Sequence, residues 1–267
     1  MKIVILGSTG MLGSAVGKYM INVFGEDCIH LSYRNLEMKY GKNNFYFDPT
    51  ICSFEAIPEC DYVINCIGIT KPFIEENIIN SIQINAVFPR ALANWFKGKS
   101  KVIHITTDCV FSGKDGNYDE ATPHDCIDIY GKTKSLGEPV DDCMVIRTSI
   151  IGSEVHKYAF LISWLKSQKG KNVNGFTNHL WNGITTKQYA KVCSQIIDEK
   201  LYQNGLFHAF SNSITKYELL NLLNKKFDLD VKIHEVECEI SVDRTMTTLH
   251  DIGLKIPLIE DQIREMA

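Results

Sequence analysis

The sequence has no C-x-x-C pair, no block of like charges, no repeat or low-complexity tract, and no apolar run near the ~20 residues that a membrane span needs. Each absence removes a class of function. A net charge of -4 gives no basic field to attract nucleic acid or an anionic membrane, so neither is an expected partner. The nine cysteines, Cys28, Cys52, Cys60, Cys66, Cys109, Cys126, Cys143, Cys193 and Cys238, are odd in number and unpaired in spacing. In a chain of 267 residues that argues against a disulfide framework and for the reduced thiols of a cytosol. The eight histidines form no H-x-x-x-H pattern and none joins a paired-cysteine set, so no metal is expected. The apolar run of the opening "MKIVILG" stops at Gly7, too short for a signal-peptide core, and the chain reads as soluble and cytoplasmic.

What is present is a large hydrophobic fraction, 45%, enough for one large domain or a domain with a smaller lobe. Short apolar runs at 3–6, 28–32, 62–68, 101–107, 143–149 and 205–211 are separated by segments of helical character. Continuous apolar runs without alternation suit strands covered on both faces, as crossover helices cover a parallel sheet. The expected fold is therefore α/β, a Rossmann-type doubly wound parallel sheet with a smaller C-terminal substrate lobe. The dinucleotide-binding domain is expected over 1–150 and the lobe mainly over 151–267, with the strand near 205–211 returning to the sheet. A cleft between the two is the expected ligand site.

Gly7, Gly10 and Gly13 follow the first predicted strand directly and open a helix. A dinucleotide pyrophosphate needs that context: a tight turn, close backbone approach, and helix N–H groups facing the phosphates. Thr9, Met11 and Leu12 share the turn and are expected beside the cofactor. The spacing is G-x-x-G-x-x-G and no G-K-[ST] follows, which sets aside a nucleotide triphosphatase loop. At the end of the second strand, Ser32 and Arg34 in "LSYRN" lean toward a 2'-phosphate and hence NADPH over NADH. Asp48 is a candidate for the adenine side, with a simple turn aspartate as the alternative.

"ITTDCVFSG", at the end of the fourth predicted strand, delivers Thr106, Thr107 and Asp108 to the carboxyl edge where open α/β sheets bind ligands. Farther on, "DIYGKTKSLGE" places Tyr130 and Lys134 one turn apart at the start of a predicted helix, on one face. A phenol near pKa ~10 is a slow proton donor at neutral pH, and a neighbouring ammonium favours its ionised form.

Together the glycine turn, the strand-end threonine and the Tyr/Lys pair resemble the extended short-chain dehydrogenase/reductases that act on nucleotide sugars. Within them "TTDCVFSG" and "IYGKTK" are similar to blocks of the dTDP-4-dehydrorhamnose reductases. The resemblance covers most of the chain. It implies a cofactor of NADPH or NADH, a nucleotide-activated 4-keto-6-deoxy sugar as substrate, and a place in deoxysugar and surface polysaccharide biosynthesis, with a homodimer left open. It assigns Tyr130 as proton donor, Lys134 to the phenol and the nicotinamide ribose, and Thr107 to the substrate carbonyl, with Thr106 beside the cofactor. Asn65, Cys66, Ile67 and Gly68 of "VINCIGIT" would line the cofactor groove, and Asn85 would support the lysine. Val110, Phe111, Thr148, Asn178, Trp181 and Arg244 would face the substrate, Arg244 at its diphosphate; Trp181 reads equally as lobe core.

The resemblance does not fix the reaction, because epimerases, dehydratases and reductases share the Tyr/Lys pair. The related dehydratases carry Glu where Cys109 stands, which disfavours dehydration. A cysteine at this place also occurs in bifunctional 3,5-epimerase/4-reductases, where it needs a depressed pKa and an acid partner, sought here between His156 and Lys166. A third reading is a cofactor-sensing protein that catalyses nothing.

Overall fold

The computed structural model describes residues 1–155 and 159–266. The chain begins with β1 (Ile3–Leu6), all four residues buried, and turns through the glycines into α1 (Met11–Phe24). Then come β2 (Ile29–Tyr33), β3 (Asn43–Tyr46), β4 (Tyr62–Asn65), α2 (Ile78–Ile82), α3 (Phe88–Phe96), β5 (Lys101–Thr107), α4 (Ile129–Leu136) and β6 (Met144–Thr148). After β6 lie β7 (Ile150–Ile151), α5 (Leu161–Ser167), β8 (Asn172–Phe176), β9 (His179–Trp181), β10 (Ile184–Thr185) and α6 (Thr186–Asp198). The last part is β11 (Gly205–His208), β12 (Ile214–Thr215), α7 (Lys216–Phe227), β13 (Lys232–Val236), β14 (Val242–Asp243) and α8 (Ile259–Arg264).

Seven strands form one parallel sheet in the order β11-β6-β5-β4-β1-β2-β3. The order reverses at β1, which puts the switch point of a doubly wound sheet at the glycine turn. Alternate residues of the central strands point to opposite faces. Ile3, Ile5, Ile64, Ile103 and Ile146 pack with Val16 and Met20 of α1 and Tyr189, Cys193 and Ile196 of α6. Val4, Leu6, Val63, Val102 and Val145 pack on the other side with Phe88, Leu92 and Phe96 of α3. Each such side chain contributes roughly 1.5–3 kcal/mol on burial, so the sheet is held from both faces.

A separate apolar cluster, including Ile162, Leu165, Leu219, Leu220, Leu223, Ile259 and Ile263, forms the core of the lobe from α5, α7 and α8. The three short pairings β10-β7, β12-β9-β14 and β13-β8 belong to this side of the molecule. α6 lies in the same sequence stretch as the lobe but buries its apolar face against α1 and the main sheet.

β3 was not among the expected strands. Its "NNFY" is polar at the start and only partly buried, the pattern of a sheet edge, so it lacks the continuous apolar run that marks the others. The Thr106–Asp108 block therefore ends the fifth strand and not the fourth. No helix among the described residues is long and apolar enough to cross a membrane.

Candidate active site

The parallel register brings the strand ends to one edge: Leu6 is level with Asn65, Asn65 with His104, and Thr107 with Thr148. At that edge Gly7 has φ +74, the left-handed region that favours glycine. A Cβ on Gly13 would overlap the Gly7 carbonyl oxygen and lie 2.6 Å from the Gly7 carbonyl carbon and 2.9 Å from Ser8 Cα, all backbone atoms. α1 thus starts against the turn itself. Gly10 differs, because a Cβ there would meet only the Gly7 oxygen, at 3.4 Å, and the rest of that side is open. Gly10 is the N-cap of α1, no side chain caps the helix, and its first turn carries no acidic residue. These free N–H groups and the open face beside Gly10 fit a pyrophosphate.

The turn is fastened to β2. The Gly7 N–H donates to Ser32 Oγ at 2.8 Å, the Ser8 hydroxyl donates to the Ser32 carbonyl, and the Tyr40 hydroxyl donates to the Ser8 carbonyl at 3.0 Å. The buried Ser32 side chain thus braces the turn, and of the two residues read toward a 2'-phosphate only Arg34 is exposed. Arg34 stands exposed with its guanidinium 3.9 Å from the Asp48 carboxylate. Asp48 also accepts from the Thr50 N–H and hydroxyl, and these bonds, with Arg34, hold its carboxyl below the ordinary value despite partial burial. Arg34, expected at a 2'-phosphate, and Asp48, expected on the adenine side, thus meet just beyond the ends of β2 and β3.

Along the groove the Cys66–Ile67 backbone closes on Gly7. Asn65 is fully buried, accepting from the Ile67 N–H. The Cys66 thiol packs on the main core, and burial pushes its pKa well up, so it is apolar filling. Asn85 lies in a π-turn at Gln83–Val87, where its side chain clasps the Ile69 N–H and carbonyl at 2.8 Å each and donates to Thr133 Oγ1. A Cβ on Gly68 would lie 4.0 Å from Lys134 Nζ and 3.6 Å from Asn85 Oδ1, so Gly68, Asn85 and Lys134 converge.

Lys134 is 5% exposed and donates to the Ile105 carbonyl at 3.0 Å. Burial lowers its pKa to about 8, with Glu138 acting the other way. α4, which carries it, starts at the Asp128 N-cap, whose carboxylate accepts from the Gly131 N–H at 2.8 Å. Tyr130 is on the first turn, beside the Thr107 side chain. Thr107 donates to the Asp108 carboxylate at 3.1 Å and accepts from the Cys109 N–H at 3.2 Å, so its remaining capacity toward the phenol is as acceptor. Burial raises the Tyr130 pKa above its ordinary value, Cys109, Asp108 and Asp128 add to that, and the Thr107 side chain opposes it. The acidifying effect expected of Lys134 is not among these leading influences, because its ammonium is turned to the Ile105 carbonyl.

Asp108 is 3% exposed, and burial raises its pKa against the pull of Arg244. Cys109 is pushed up to about 12 by burial and by Asp108, with Arg244, Thr107 and Lys71 opposing. Arg244 donates from Nε to the Phe111 carbonyl at 3.1 Å and from Nη2 to the Ser112 carbonyl at 3.2 Å, binding the lobe to the turn that follows β5.

Several residues expected at the substrate make other contacts in the structure. Val110 and Phe111 are fully buried because the short turn Asp108–Val110 directs the chain inward, and Phe111 stacks on Tyr118 with ring centroids 4.2 Å apart. Asn178 spends both ends of its amide on the Cys238 backbone, at 2.6 and 3.0 Å. Trp181 packs on the lobe core, the alternative weighed for it. Thr148 is buried at the end of β6, its hydroxyl donating to the Ser149 carbonyl. Lys166, at the end of the stretch searched for an acid partner to Cys109, lies 4.3 Å from the Phe227 ring within the lobe, while His156 and Lys157 lie outside the described residues.

Two groups were missed. Lys71, just past the end of β4, pairs with Asp128 at 2.8 Å, and Phe73 in the same loop meets Phe160 of the lobe edge to face. Their position in a loop at the carboxyl edge was the available signal. The second is Arg147, fully buried in β6, which binds the Glu138 carboxylate at 2.7 and 3.2 Å, His208 Nε2 at 3.0 Å and His124 Nε2 at 2.6 Å, and lies over the Phe111 ring. A charged residue inside an otherwise apolar strand run requires such partners.

The glycine turn at the switch point of the sheet, the Thr107/Tyr130/Lys134 set and the separate lobe together make the fold that of an extended short-chain dehydrogenase/reductase. A likeness to solved proteins follows the same lines. The chain belongs to the RmlD substrate binding domain family, whose model matches residues 1–245. It is similar to methionine adenosyltransferase 2 subunit beta of Danio rerio, 25% identical over 243 residues covering 85% of this chain and 74% of that protein. It is similar to the spore coat polysaccharide biosynthesis protein SpsK of Bacillus subtilis, 24% identical over 273 residues, 89% of this chain and 83% of that one. Among solved structures, a hypothetical dTDP-4-dehydrorhamnose reductase from Sulfolobus tokodaii superimposes with a TM-score of 0.74 at 24% identity, covering 94% of this chain and 98% of that chain.

Proposed function

We propose that the protein reduces the C4 ketone of a nucleotide-activated 4-keto-6-deoxy sugar with NADPH or NADH, in the cytoplasmic synthesis of a deoxysugar for a polysaccharide. The observation that carries this reading is the phenol of Tyr130 beside the Thr107 side chain, next to the point where Gly68, Asn85 and Lys134 converge. When bound, the dihydronicotinamide supplies the hydride that forms the new C–H bond at C4. Tyr130 gives its proton to the ketone oxygen, so the carbonyl becomes a secondary alcohol and the tyrosine recovers its proton from solvent. Thr107 holds the carbonyl in line by turning its hydroxyl proton from the Asp108 carboxylate to the ketone oxygen, while its own oxygen goes on accepting from the Cys109 N–H. Lys134, with a pKa of about 8, is available to the nicotinamide ribose and to the phenolate that forms. Arg244 is the cation for the diphosphate. The exposed Arg34 beside Asp48 supports NADPH as the preferred form.

The alternative in which Cys109 also epimerises C3 and C5 requires a thiolate, and a thiol pushed up to about 12 is a poor source of one. A non-catalytic role is favoured by one finding, the likeness to a protein named as a subunit beta. Absorbance at the nicotinamide band separates the two. Incubation with NADPH and 4-keto-6-deoxy sugars carrying dTDP, UDP or GDP is expected to give oxidation with one of them. Tight cofactor binding with no oxidation on any would replace the reductase with the sensor.

A further inference from the structure

Lys71, in the loop after β4, has no part in the reading above, yet it sets a cation against the helix that carries Tyr130. Lys71 Nζ lies 2.8 Å from Asp128 Oδ2, while Asp128 Oδ1 accepts from the Gly131 N–H and so fixes the first turn of α4, which carries Tyr130. A Cβ on Gly131 would overlap the Cys109 carbonyl and lie 2.7 Å from Cys126 Cβ, so this turn sits hard against the end of β5. The same loop carries Phe73, whose ring meets Phe160 of the lobe at a centroid distance of 6.3 Å. The Lys71–Asp128 pair thus lies where the loop, the catalytic helix and the lobe come together.

We propose that Lys71 is a positioning residue of this site: by pairing with Asp128 it holds the first turn of α4 in place, screens the Asp128 carboxylate from the reacting Tyr130, and brings its own charge to bear on the Cys109 thiol. The groups facing Tyr130 are Thr107, Asp108, Cys109 and Asp128, and those facing Cys109 are Asp108, Thr107, Arg244, Lys71 and Tyr130 itself. Asp128 raises the phenol's pKa and Lys71 lowers the thiol's, so loss of the ammonium moves both groups toward their protonated forms. Lys71 is 56% exposed at the side chain, so water screens the effect and its size is modest.

This inference rests on the reductase reading for its kinetic arm only, and a second arm needs no substrate. Cys109 alkylation by iodoacetamide, followed by peptide mass spectrometry at pH 8, is expected to slow about threefold in Lys71→Gln, the loss of thiolate that a half-unit shift gives. Lys71→Arg is expected to restore the rate to within about twofold of the parent. In the kinetic arm, the high-pH limb of the NADPH-dependent reduction is expected to move up by about half a pH unit in Lys71→Gln and to return in Lys71→Arg, with kcat reduced more than KM is raised. An unchanged or faster alkylation rate in Lys71→Gln overturns the proposal, whatever the outcome with sugar. If the parent protein oxidises NADPH on no sugar, the reductase reading fails while the alkylation rates still decide the role of Lys71.

Discussion

Two glycines of the turn give a contrast that separates folding from cofactor binding. At Gly13 a new methyl would overlap the Gly7 carbonyl oxygen and stand 2.6 Å from its carbon, where ordinary carbon–carbon contact needs about 3.5–4.0 Å. Every clashing atom is backbone, so α1 must withdraw by roughly 1 Å from the switch point of the sheet. Such overpacking costs about 1–3 kcal/mol, and the withdrawal also spoils the helix N–H groups aimed at the phosphates. Gly10→Ala meets a single oxygen at 3.4 Å, and its φ of -80 is open to any residue. The poorer cap that Ala makes is offset by the reduced freedom of the unfolded chain, leaving stability within about 1 kcal/mol of the parent. Its methyl nevertheless projects into the open face proposed for the pyrophosphate. Thermal unfolding with a fluorescence titration of NADPH is the assay. Gly13→Ala should lose stability and binding together, whereas Gly10→Ala should keep its melting temperature and bind NADPH at least tenfold more weakly, about 1.4 kcal/mol. A Gly10→Ala protein that binds as the parent does would refute the placement of the dinucleotide at this turn.

Other expectations follow from the same geometry. Glu138→Ala leaves the Arg147 guanidinium charged and buried among two histidines, and chemical denaturation should show a loss of about 3–5 kcal/mol. His124 and His208 accept from Arg147 and must be neutral. Burial, the larger cause, lowers both pKa values below the ordinary 6.5, with Arg147 acting in the same direction. Their contribution is therefore complete above about 6.5 and lost as pH falls toward the folded values, because the unfolded chain binds the additional protons. Stability measured from pH 7 to 4.5 should fall in that window, and His208→Gln should flatten the slope. Lys134 has a folded pKa of about 8, below the ordinary 10.5, so the unfolded chain holds more protons between those values. Stability should thus gain from this group as pH rises from 8 to 10.5, a gain absent in Lys134→Met.

The parts of the molecule legible in the sequence are those dictated by local pattern. Strands buried on both faces announce themselves as unbroken apolar runs, and the glycine turn is marked by its place between the first strand and a helix. The spacing of Tyr130 and Lys134 likewise fixed their common face. Edge and long-range features were not legible. β3 is half polar because it has a neighbour on one side only. Val110 and Phe111 closely follow Thr107 in sequence, but a single tight turn carries them into the core. Asn178 has the composition of a ligand-binding loop and is consumed by the Cys238 backbone. The Arg147 cluster draws partners from α4's end, β11 and the loop before α4, separated too widely in the chain for spacing to reveal them. The ammonium of Lys134 illustrates a subtler limit, since helical spacing placed it on the face of Tyr130 while the strand carbonyl of Ile105 decides where it points.

The central claim is that Tyr130 delivers a proton to a sugar ketone as C4 receives hydrogen from the cofactor. Its most direct test uses NADPH deuterated at the transferring position with a 4-keto-6-deoxy nucleotide sugar, the product being read by mass spectrometry and NMR. One deuterium at C4 of the product with the parent protein, and none with a folded, NADPH-binding Tyr130→Phe variant, is the predicted result. Equal deuterium transfer by that variant, or none by the parent on any of the nucleotide sugars, would contradict it.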